Sequence, residues 1–489
     1  MKTRNMIALF ILAAAGMSAA SCDSRAALTR KRIKGVEKGL LHAYYFKSRK
    51  PQPLNLQDRM AFYRVPAVSI AVVDGLRLEW AKAYGTKTAG AADPATAETL
   101  FQAGALSQPP AAAAALRLVE QGRLGLDVDI NDVLRRWRVR KTGPAARVPV
   151  TLGGLLSHSA GFGDLVLAGT PRGKAGPDLL QVLNGEPPAV NPALRPVIEP
   201  GTRDIPAESG FAVLEELLVE AGGKPFPSFM KETVLDPAGM TLSSYESPLP
   251  EEWRSRAASG HLRDGRTIEG GWLDYPARAA KGLWTTPTDL AVFGIAIMEA
   301  AMDRPSRLLG RTAARAMLTP KVGVHGLGFV VEGRTRENLL ISLEGWTDGF
   351  ASMLVMLPAK GQAAVVMANG ENGEFLIVEI LRALSEVYDW PYFKPEEKPL
   401  YAFEPDIIRD YPGRYRITPE YVLEVAAEDP YLVIRPTGQA PTKFYLDSQA
   451  VFFSIDPPTR VRFQRNAAGR VDRLILVQGR SIQEALRIE

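Results

Sequence analysis

The chain has 489 residues, of which 46% are hydrophobic and 23% charged, and its formal net charge is +5. A chain of this length and composition can bury at least one large core, and we expect two. The surplus of basic residues is small and no long basic run lies beyond the N-terminus, so nucleic acid is not an expected partner. The single cysteine excludes an internal disulfide.

The first 22 residues have the pattern of an export signal. Lys2 and Arg4 precede an apolar run over 6–16, and small residues lead to Cys22. The stretch Ala19-Ala20-Ser21 before Cys22 resembles a bacterial lipobox, so we expect lipidation of Cys22; an ordinary signal with a stray thiol is the alternative. No other segment has about 18 uninterrupted apolar residues. We therefore predict an exported, periplasmic or cell-envelope lipoprotein whose lipid is its membrane anchor.

The patterns that follow predict an α+β domain. Val68 to Val73 and Leu78 to Tyr84 flank Asp74-Gly75, which indicates a hairpin. Helices are predicted at 111–121, at 210–222, at 287–302 with Thr286 or Thr288 as its cap, and at 373–388; strands are predicted at 339–343, 351–357 and 363–368. Residues 163–207 are rich in Gly and Pro, so we expect a long surface excursion there, a lid being one interpretation. Strands near both ends of this region are expected to share one sheet.

A second domain is predicted after a charged, proline-punctuated stretch. From residue 413 onwards, seven short strands separated by turn residues predict a small all-β barrel or sandwich. The expected division is a signal peptide at 1–22, a tether and extension at 23–55, an α+β domain at 56–392, a linker at 393–400 and a β domain at 401–489.

Seven segments, in the same order along the chain, resemble the serine β-lactamase and penicillin-binding-protein family, and within it the class C β-lactamase-related serine hydrolases. They are Val65 to Val73 with Trp80 to Gly85, Thr99 to Gly104, Leu155 to Gly161, Pro200-Gly201-Thr202, Leu235 to Thr241, Gly282 to Leu290, and Val365 to Gly370. The resemblance implies a β-lactamase/transpeptidase-like fold, an antiparallel sheet flanked by helices, with a helical subdomain. It also implies a lipocalin-like C-terminal domain, which either binds a ligand or simply packs; packing is the preferred interpretation.

The chemistry that the resemblance implies is acyl transfer. In that family a Ser in an S-x-x-K motif attacks a carbonyl and the Lys helps to remove its proton, while a Tyr of a Y-x-N loop takes part in proton transfer. A K-T-G or H-x-G strand lines the far wall, and backbone amides hold the oxyanion.

All three motifs are altered in this sequence. The flanking matches place S-x-x-K on Ala105 to Gln108, so Ala105 stands at the nucleophile position and Gln108 at the lysine position. The tyrosine loop falls on Pro206 and Glu208, and the third motif falls on Leu343 and Gly345. An alanine cannot be acylated and an amide cannot accept a proton near neutral pH. The resemblance therefore predicts a pseudoenzyme.

Two residues near these positions are candidates for a remaining catalytic role. Ser107 is a rescue nucleophile in principle. However, it lies two positions after Ala105, and a side chain two positions further along a helix points in a different direction. An N-cap hydroxyl ahead of Pro109-Pro110 is the preferred interpretation of Ser107. His158 is expected to serve packing rather than to act as a base.

New charges are also predicted near the former cleft. Lys281, Glu208 and Glu344 could form a ligand-binding cluster there, but solvated surface charge is the preferred interpretation. The remaining histidines, His42, His261 and His325, show no metal-ligand spacing, so we expect no metal and no cofactor.

Three functions remain open at this point. The first is a non-hydrolytic binding or scaffold protein at the cell envelope, with a cell-wall peptide, a small ester or amide, or a protein as partner. The second is an active esterase, peptidase or β-lactamase-like hydrolase that uses Ser107, with Lys281 as its base. The third places the function in residues 400–489.

Overall fold

The structure is a computed structural model that describes residues 24–47, 50–140, 142–163, 165–333, 335–401, 408–448, 450–479 and 481–488. The predicted export signal and Cys22 lie outside these residues. No helix of the described residues is both long and apolar enough to cross a membrane.

The chain divides into two compact units. One is Met60–Gly373, and the other combines the described parts of Met1–Arg59 and Glu374–Glu489. The limits of 56–392 and 401–489 inferred from sequence remain a prediction, because compactness alone does not set where a domain ends.

The first unit contains a sheet of six antiparallel strands. In spatial order they are Arg77–Gly85, Ala67–Asp74, Gln362–Ala368, Phe350–Leu357, Leu340–Thr347 and Val330–Glu332. The central strands are continuous apolar runs and are buried along almost their whole length, whereas the outer Arg77–Gly85 alternates between buried and exposed positions. The predicted hairpin is confirmed, and so is the expectation that early and late segments share one sheet.

Both units contain α-helices. Those of the described chain lie at 24–37, Leu56–Tyr63, Gln108–Glu120, Leu152–Leu156, Leu179–Asn184, Glu208–Gly222, Phe226–Met230, Asp236–Ala238, Glu251–Arg254, Arg278–Lys281, Pro287–Ala301, Arg311–Met317 and Gly373–Val387. Thr286 caps Pro287–Ala301 by accepting a hydrogen bond from the Asp289 amide at 3.1 Å. Thr286 is thus the cap, and Thr288 is not.

The 163–207 excursion has more structure than its composition suggests. It contains the helix Leu179–Asn184, which begins with a capping box between Asp178 and Gln181. Apolar side chains within the excursion, including Leu167 and Leu194, are buried in the core of the first unit. The excursion is therefore packed onto the unit rather than being a purely irregular surface loop.

The second unit contains a closed barrel of eight strands, as the sequence pattern of the C-terminal region predicts. They are Gly413–Thr418, Tyr421–Glu428, Tyr431–Pro436, Thr442–Ser448, Val451–Ser454, Thr459–Arg465, Val471–Gln478 and Ser481–Arg487. The last strand is missing from the prediction because Ala485 is its only buried residue. Pairing of this strand with the first one closes the barrel.

Aromatic and aliphatic side chains fill the barrel interior, among them Tyr415, Phe452 and Phe463. Tyr411 stacks on Phe463 with ring centroids 4.4 Å apart. A filled interior favours the packing interpretation of this domain over the lipocalin-like ligand site. Outside the barrel, Glu396–Lys398 pairs in parallel with Tyr44–Phe46, so the predicted linker and the predicted tether both contain a strand.

One buried arginine connects three segments of the second unit. Arg59 donates two hydrogen bonds to Glu379 at 2.7 and 2.8 Å and two to Asp456 at 2.7 and 2.8 Å. Glu379 lies on the Gly373–Val387 helix and Asp456 on a barrel turn. Bidentate geometry to two carboxylates leaves little of the guanidinium charge uncompensated.

We predict that Arg59→Met lowers the free energy of unfolding by about 3–5 kcal/mol, because Glu379 would remain buried without its counter-ion. Urea unfolding followed by circular dichroism measures this change. The control is Arg435→Met, which removes an exposed ion pair to Glu424 and should change stability by less than about 0.5 kcal/mol. Equal effects of the two substitutions would contradict the prediction.

Candidate functional site

The turn Gly104–Ser107 carries the position predicted for the nucleophile, Ala105, and it packs directly against a strand. Gly104 has a φ of +57°, and a Cβ atom there would overlap the backbone of Trp346. A Cβ on Gly345 would likewise overlap the carbonyl of Ala103. Both glycines are required for this close approach, which places the half-buried Ala105 beside the strand Leu340–Thr347.

Ser107 is fully committed to backbone hydrogen bonds. Its hydroxyl donates to the carbonyl of Gly104 at 2.7 Å and accepts from the amide of Leu283 at 3.0 Å. The residue is 0% exposed, and Tyr245 donates its phenol hydrogen to the Ser107 carbonyl at 2.6 Å. The predicted N-cap bond is wrong, since the hydroxyl joins two chain segments instead of capping the Gln108–Glu120 helix. The one hydrogen that this hydroxyl can donate is therefore used by the Gly104 carbonyl.

Three other predicted motif positions carry side chains without a charge. Gln108 is buried at the start of its helix and carries a neutral amide. Pro206 is exposed, and Leu343 is buried in the apolar core. None of these three side chains can take up a proton near neutral pH.

Lys281 and Glu208 form a buried ion pair beside this turn. The Lys281 ammonium lies 2.6 Å from Glu208 Oε1, and the lysine side chain is only 1% exposed. The contact is ionic without the angle of a hydrogen bond. The structure therefore brings together two of the three predicted charges. Glu344 is exposed, and no ion pair joins it to either of them in the described structure.

Aromatic rings complete the surroundings of the ammonium. Lys281 Nζ lies 5.0 Å from the ring centroid of Tyr275 and 5.9 Å from that of Trp346. The Tyr275 hydroxyl donates to Asp348 at 2.6 Å, and burial raises the pKa of this phenol well above its usual value. Tyr275 therefore stays neutral and presents its ring, not a phenolate, to the ammonium.

Two glutamates on one helix hold the short helix Arg278–Lys281. Glu208 and Glu215 are seven residues apart on Glu208–Gly222, so both lie on the same face. Glu215 accepts a hydrogen bond from the amide of Ala279 at 2.8 Å, and it is 2% exposed. Burial raises the pKa of Glu215 to about 7, with Arg278 acting in the opposite direction. Glu215 thus holds the backbone of the short helix Arg278–Lys281, while Glu208 forms the ion pair with its lysine.

His158 lies behind the site in a packing role. Its Nδ1 accepts a hydrogen bond from the amide of Ala207 at 3.2 Å, and its ring meets that of His325 edge-on at 4.9 Å. Burial lowers the pKa of His158 to about 3, so the ring is neutral. His325 in turn bonds Asp204 through Nδ1 at 2.6 Å. The two partners are 121 residues apart, and no local spacing in the sequence indicates this pair.

The other histidines have separate environments. His261 is buried with both ring nitrogens bonded, to the Asn369 carbonyl at 2.7 Å and to the Ala89 amide at 3.1 Å. In the second unit, His42, Glu379 and Asp456 have ligand atoms within 4.8 Å of one another. The Arg59 guanidinium already occupies both carboxylates, so this donor set fits an ion-pair network better than a metal site.

Comparison with known proteins gives the family of this chain. Residues 55–387 match the beta-lactamase family. The chain belongs to the beta-lactamase family.

Two relatives and one solved structure illustrate the range of this similarity. Penicillin-binding protein 4 of Amycolatopsis lactamdurans is 29% identical over 340 residues, covering 66% of this chain and 85% of the relative. A beta-lactamase of Pseudomonas fluorescens is 22% identical over 359 residues, covering 65% and 91%. The octameric penicillin-binding protein homologue of Pyrococcus abyssi has the same fold, with a TM-score of 0.58 at 19% identity over 88% of this chain and 98% of that one.

Several residues of this beta-lactamase-family site could not be predicted from the sequence. Leu167 donates its amide to Glu208 Oε2 at 2.8 Å, and Leu283 holds the Ser107 hydroxyl. Both residues act through their backbone amides. Since almost every residue type has this group, the sequence gives no indication of these contacts. Tyr275 and Trp346 are aromatic residues with no motif around them, so only the folded chain shows that they border Lys281.

We predict that Glu215→Gln removes a pH-dependent loss of stability. A carboxyl with a folded pKa of about 7 and a usual value of 4.5 favours the fold below pH 4.5 and loses that contribution as pH rises through 7. The unfolding free energy of the variant, minus that of the unaltered protein, should therefore increase by about 2.5 kcal/mol between pH 5 and pH 8. Gln still accepts the Ala279 hydrogen bond.

Urea unfolding at a series of pH values measures this difference. Glu251→Gln, at an exposed helix start, is the control and should keep the pH slope of the unaltered protein. A Glu215→Gln variant with that same slope would show that Glu215 is ionised in the fold at neutral pH.

Proposed function

We propose that this chain is a non-hydrolytic member of the beta-lactamase family that acts as a binding or scaffold protein at the cell envelope. The observation that carries this proposal is the turn Gly104–Ser107. Its one hydroxyl is held by two backbone groups, and the adjacent Ala105 ends in a methyl group. Acyl transfer needs an activated nucleophile, and this turn offers none.

The proton-transfer groups support the same proposal. Gln108 cannot accept a proton, and Lys281 is paired with Glu208 rather than directed at a hydroxyl. Loss of the nucleophile alone lowers turnover of a triad-type hydrolase about a million-fold, and further losses add little because these groups act as a unit. The Ser107 hydrolase requires a free hydroxyl, so the geometry disfavours it.

The N-terminal sequence supports the location in the proposal. Residues 2–22 have the charge and apolar pattern of an export signal, and Cys22 follows small residues. Two or more acyl chains on Cys22 would anchor the chain stably, since each buried CH₂ contributes about 0.8 kcal/mol. The proposed partners are a cell-wall peptide, a small ester or amide, or another envelope protein.

The decisive test is intact-mass spectrometry of the purified protein after incubation with a fluorophosphonate and, separately, with a broad β-lactam. We expect no mass shift with either reagent. A catalytically competent penicillin-binding protein, treated in parallel, must show its adduct. A stoichiometric adduct on this chain would overturn the proposal, and peptide mapping would then identify the nucleophile.

Ser107→Ala separates a structural role from a catalytic one. We expect no change in ester turnover, but a loss of about 1–3 kcal/mol in stability, because the Leu283 amide loses its buried acceptor. Ester hydrolysis and urea unfolding measure the two effects, with the exposed Ser255→Ala as the control. Measurable turnover that disappears in a folded Ser107→Ala variant would restore the hydrolase hypothesis.

Cys22→Ser tests the proposed anchor. We expect the unaltered chain to incorporate labelled fatty acid and to sediment with membranes, and the variant to do neither while still being exported. Membrane association that persists in the variant would show that Cys22 is not the anchor.

A further inference from the structure

We infer that the Lys281–Glu208 ion pair closes the former catalytic cleft to ligands the size of an ester or a peptide. This inference rests on the proposed function and narrows it. It does not follow from loss of the catalytic groups, since a cleft without a nucleophile can still bind substrate.

The first observation is the burial of a flexible, charged side chain. Lys281 is 1% exposed, and its ammonium lies against the ring of Tyr275 and within 5.9 Å of the Trp346 centroid. A lysine is almost never fully buried unless it is paired. Its four-carbon stem and its ammonium therefore occupy interior space beside the turn that carries Ala105.

The second observation is that Glu208, the partner of this lysine, is the more exposed of the two side chains. Glu208 is 21% exposed, and its Oε1 contacts the buried ammonium at 2.6 Å. Its Oε2 accepts the Leu167 amide from the 163–207 excursion at 2.8 Å. The carboxylate is thus held from two sides, so it is not a freely rotating surface group.

The third observation places this pair at the turn. Lys281 lies two residues before Leu283, whose amide binds the Ser107 hydroxyl and whose carbonyl accepts the Ala103 amide at 2.9 Å. Trp346, which borders the ammonium, touches Gly104 through its backbone. The pair therefore lies beside Ala105, where an acyl group would have to enter.

The charges make the closure stable. Moving either side chain alone would separate two opposite charges in a largely desolvated place, and leaving one of them unpaired there is unfavourable. A ligand must displace both side chains together to gain entry.

The absence of any cysteine other than Cys22 allows a direct test in the full chain. In a Cys22→Ser background, Ala105→Cys provides a single thiol at the turn. Its rate of reaction is measured with methyl methanethiosulfonate, which is small, and with fluorescein maleimide, which has the size of a substrate. The ratio of the two rates measures how readily the large reagent enters the cleft. A change in the pKa of the thiol would alter both rates and would therefore largely cancel in the ratio.

We expect Glu208→Ala/Lys281→Ala to raise the ratio of maleimide to methanethiosulfonate rates at least tenfold. Glu208→Gln/Lys281→Met should also raise it, since neutral side chains separate without exposing charge, and this variant serves if the alanine pair does not fold. The control is Lys224→Ala/Glu232→Ala, an exposed ion pair of the same unit, which should leave the ratio unchanged.

An unchanged ratio in a folded variant that lacks both charges would overturn the closure. This result is distinguishable from failure of the proposed function. A fluorophosphonate adduct on the unaltered chain contradicts the pseudoenzyme, whereas the thiol ratio concerns entry to the cleft and does not depend on hydrolysis.

Discussion

The close backbone approach between the Gly104–Ser107 turn and the strand Leu340–Thr347 is the constraint on which the rest of the site depends. A side chain on Gly104 or Gly345 would separate the two segments. Ser107 then fixes the turn from its other side, because its hydroxyl bridges Gly104 and Leu283. This geometry needs two small residues and one hydroxyl, but it needs no nucleophile. The turn is therefore held by contacts that involve no titratable side chain.

Two buried carboxylate contacts lie beside that turn. Lys281 is neutralised by Glu208, and Glu215 binds the backbone of the same short helix while burial holds its pKa near 7. A buried ion pair adds little net stability compared with apolar packing, yet removal of one partner is strongly unfavourable. The Lys281–Glu208 pair therefore fixes one arrangement of the cleft rather than adding to the stability of the fold.

The sequence predicts the fold far better than it predicts the contacts within the site. The hairpin at Asp74-Gly75, the helix after Pro109 and the barrel strands follow from periodicity and turn residues, which are local signals. The final strand Ser481–Arg487 escapes prediction because a single buried alanine gives it no alternating apolar pattern. The hydrogen bond between Asp204 and His325 could not be predicted for another reason. The two residues are 121 positions apart in the sequence, and no local pattern indicates their contact.

The role of Ser107 could not be identified from its residue type alone. A serine before two prolines at a helix start is typical of an N-cap, and the hydroxyl is indeed structural. Its partners, however, are the Gly104 carbonyl behind it and the Leu283 amide from a distant segment. A cap would stabilise only the helix, whereas this bond connects the turn to the segment that carries Lys281. The hydroxyl of Ser107 therefore joins the turn to a segment 176 residues further along the chain, a contact that no local pattern around Ser107 indicates.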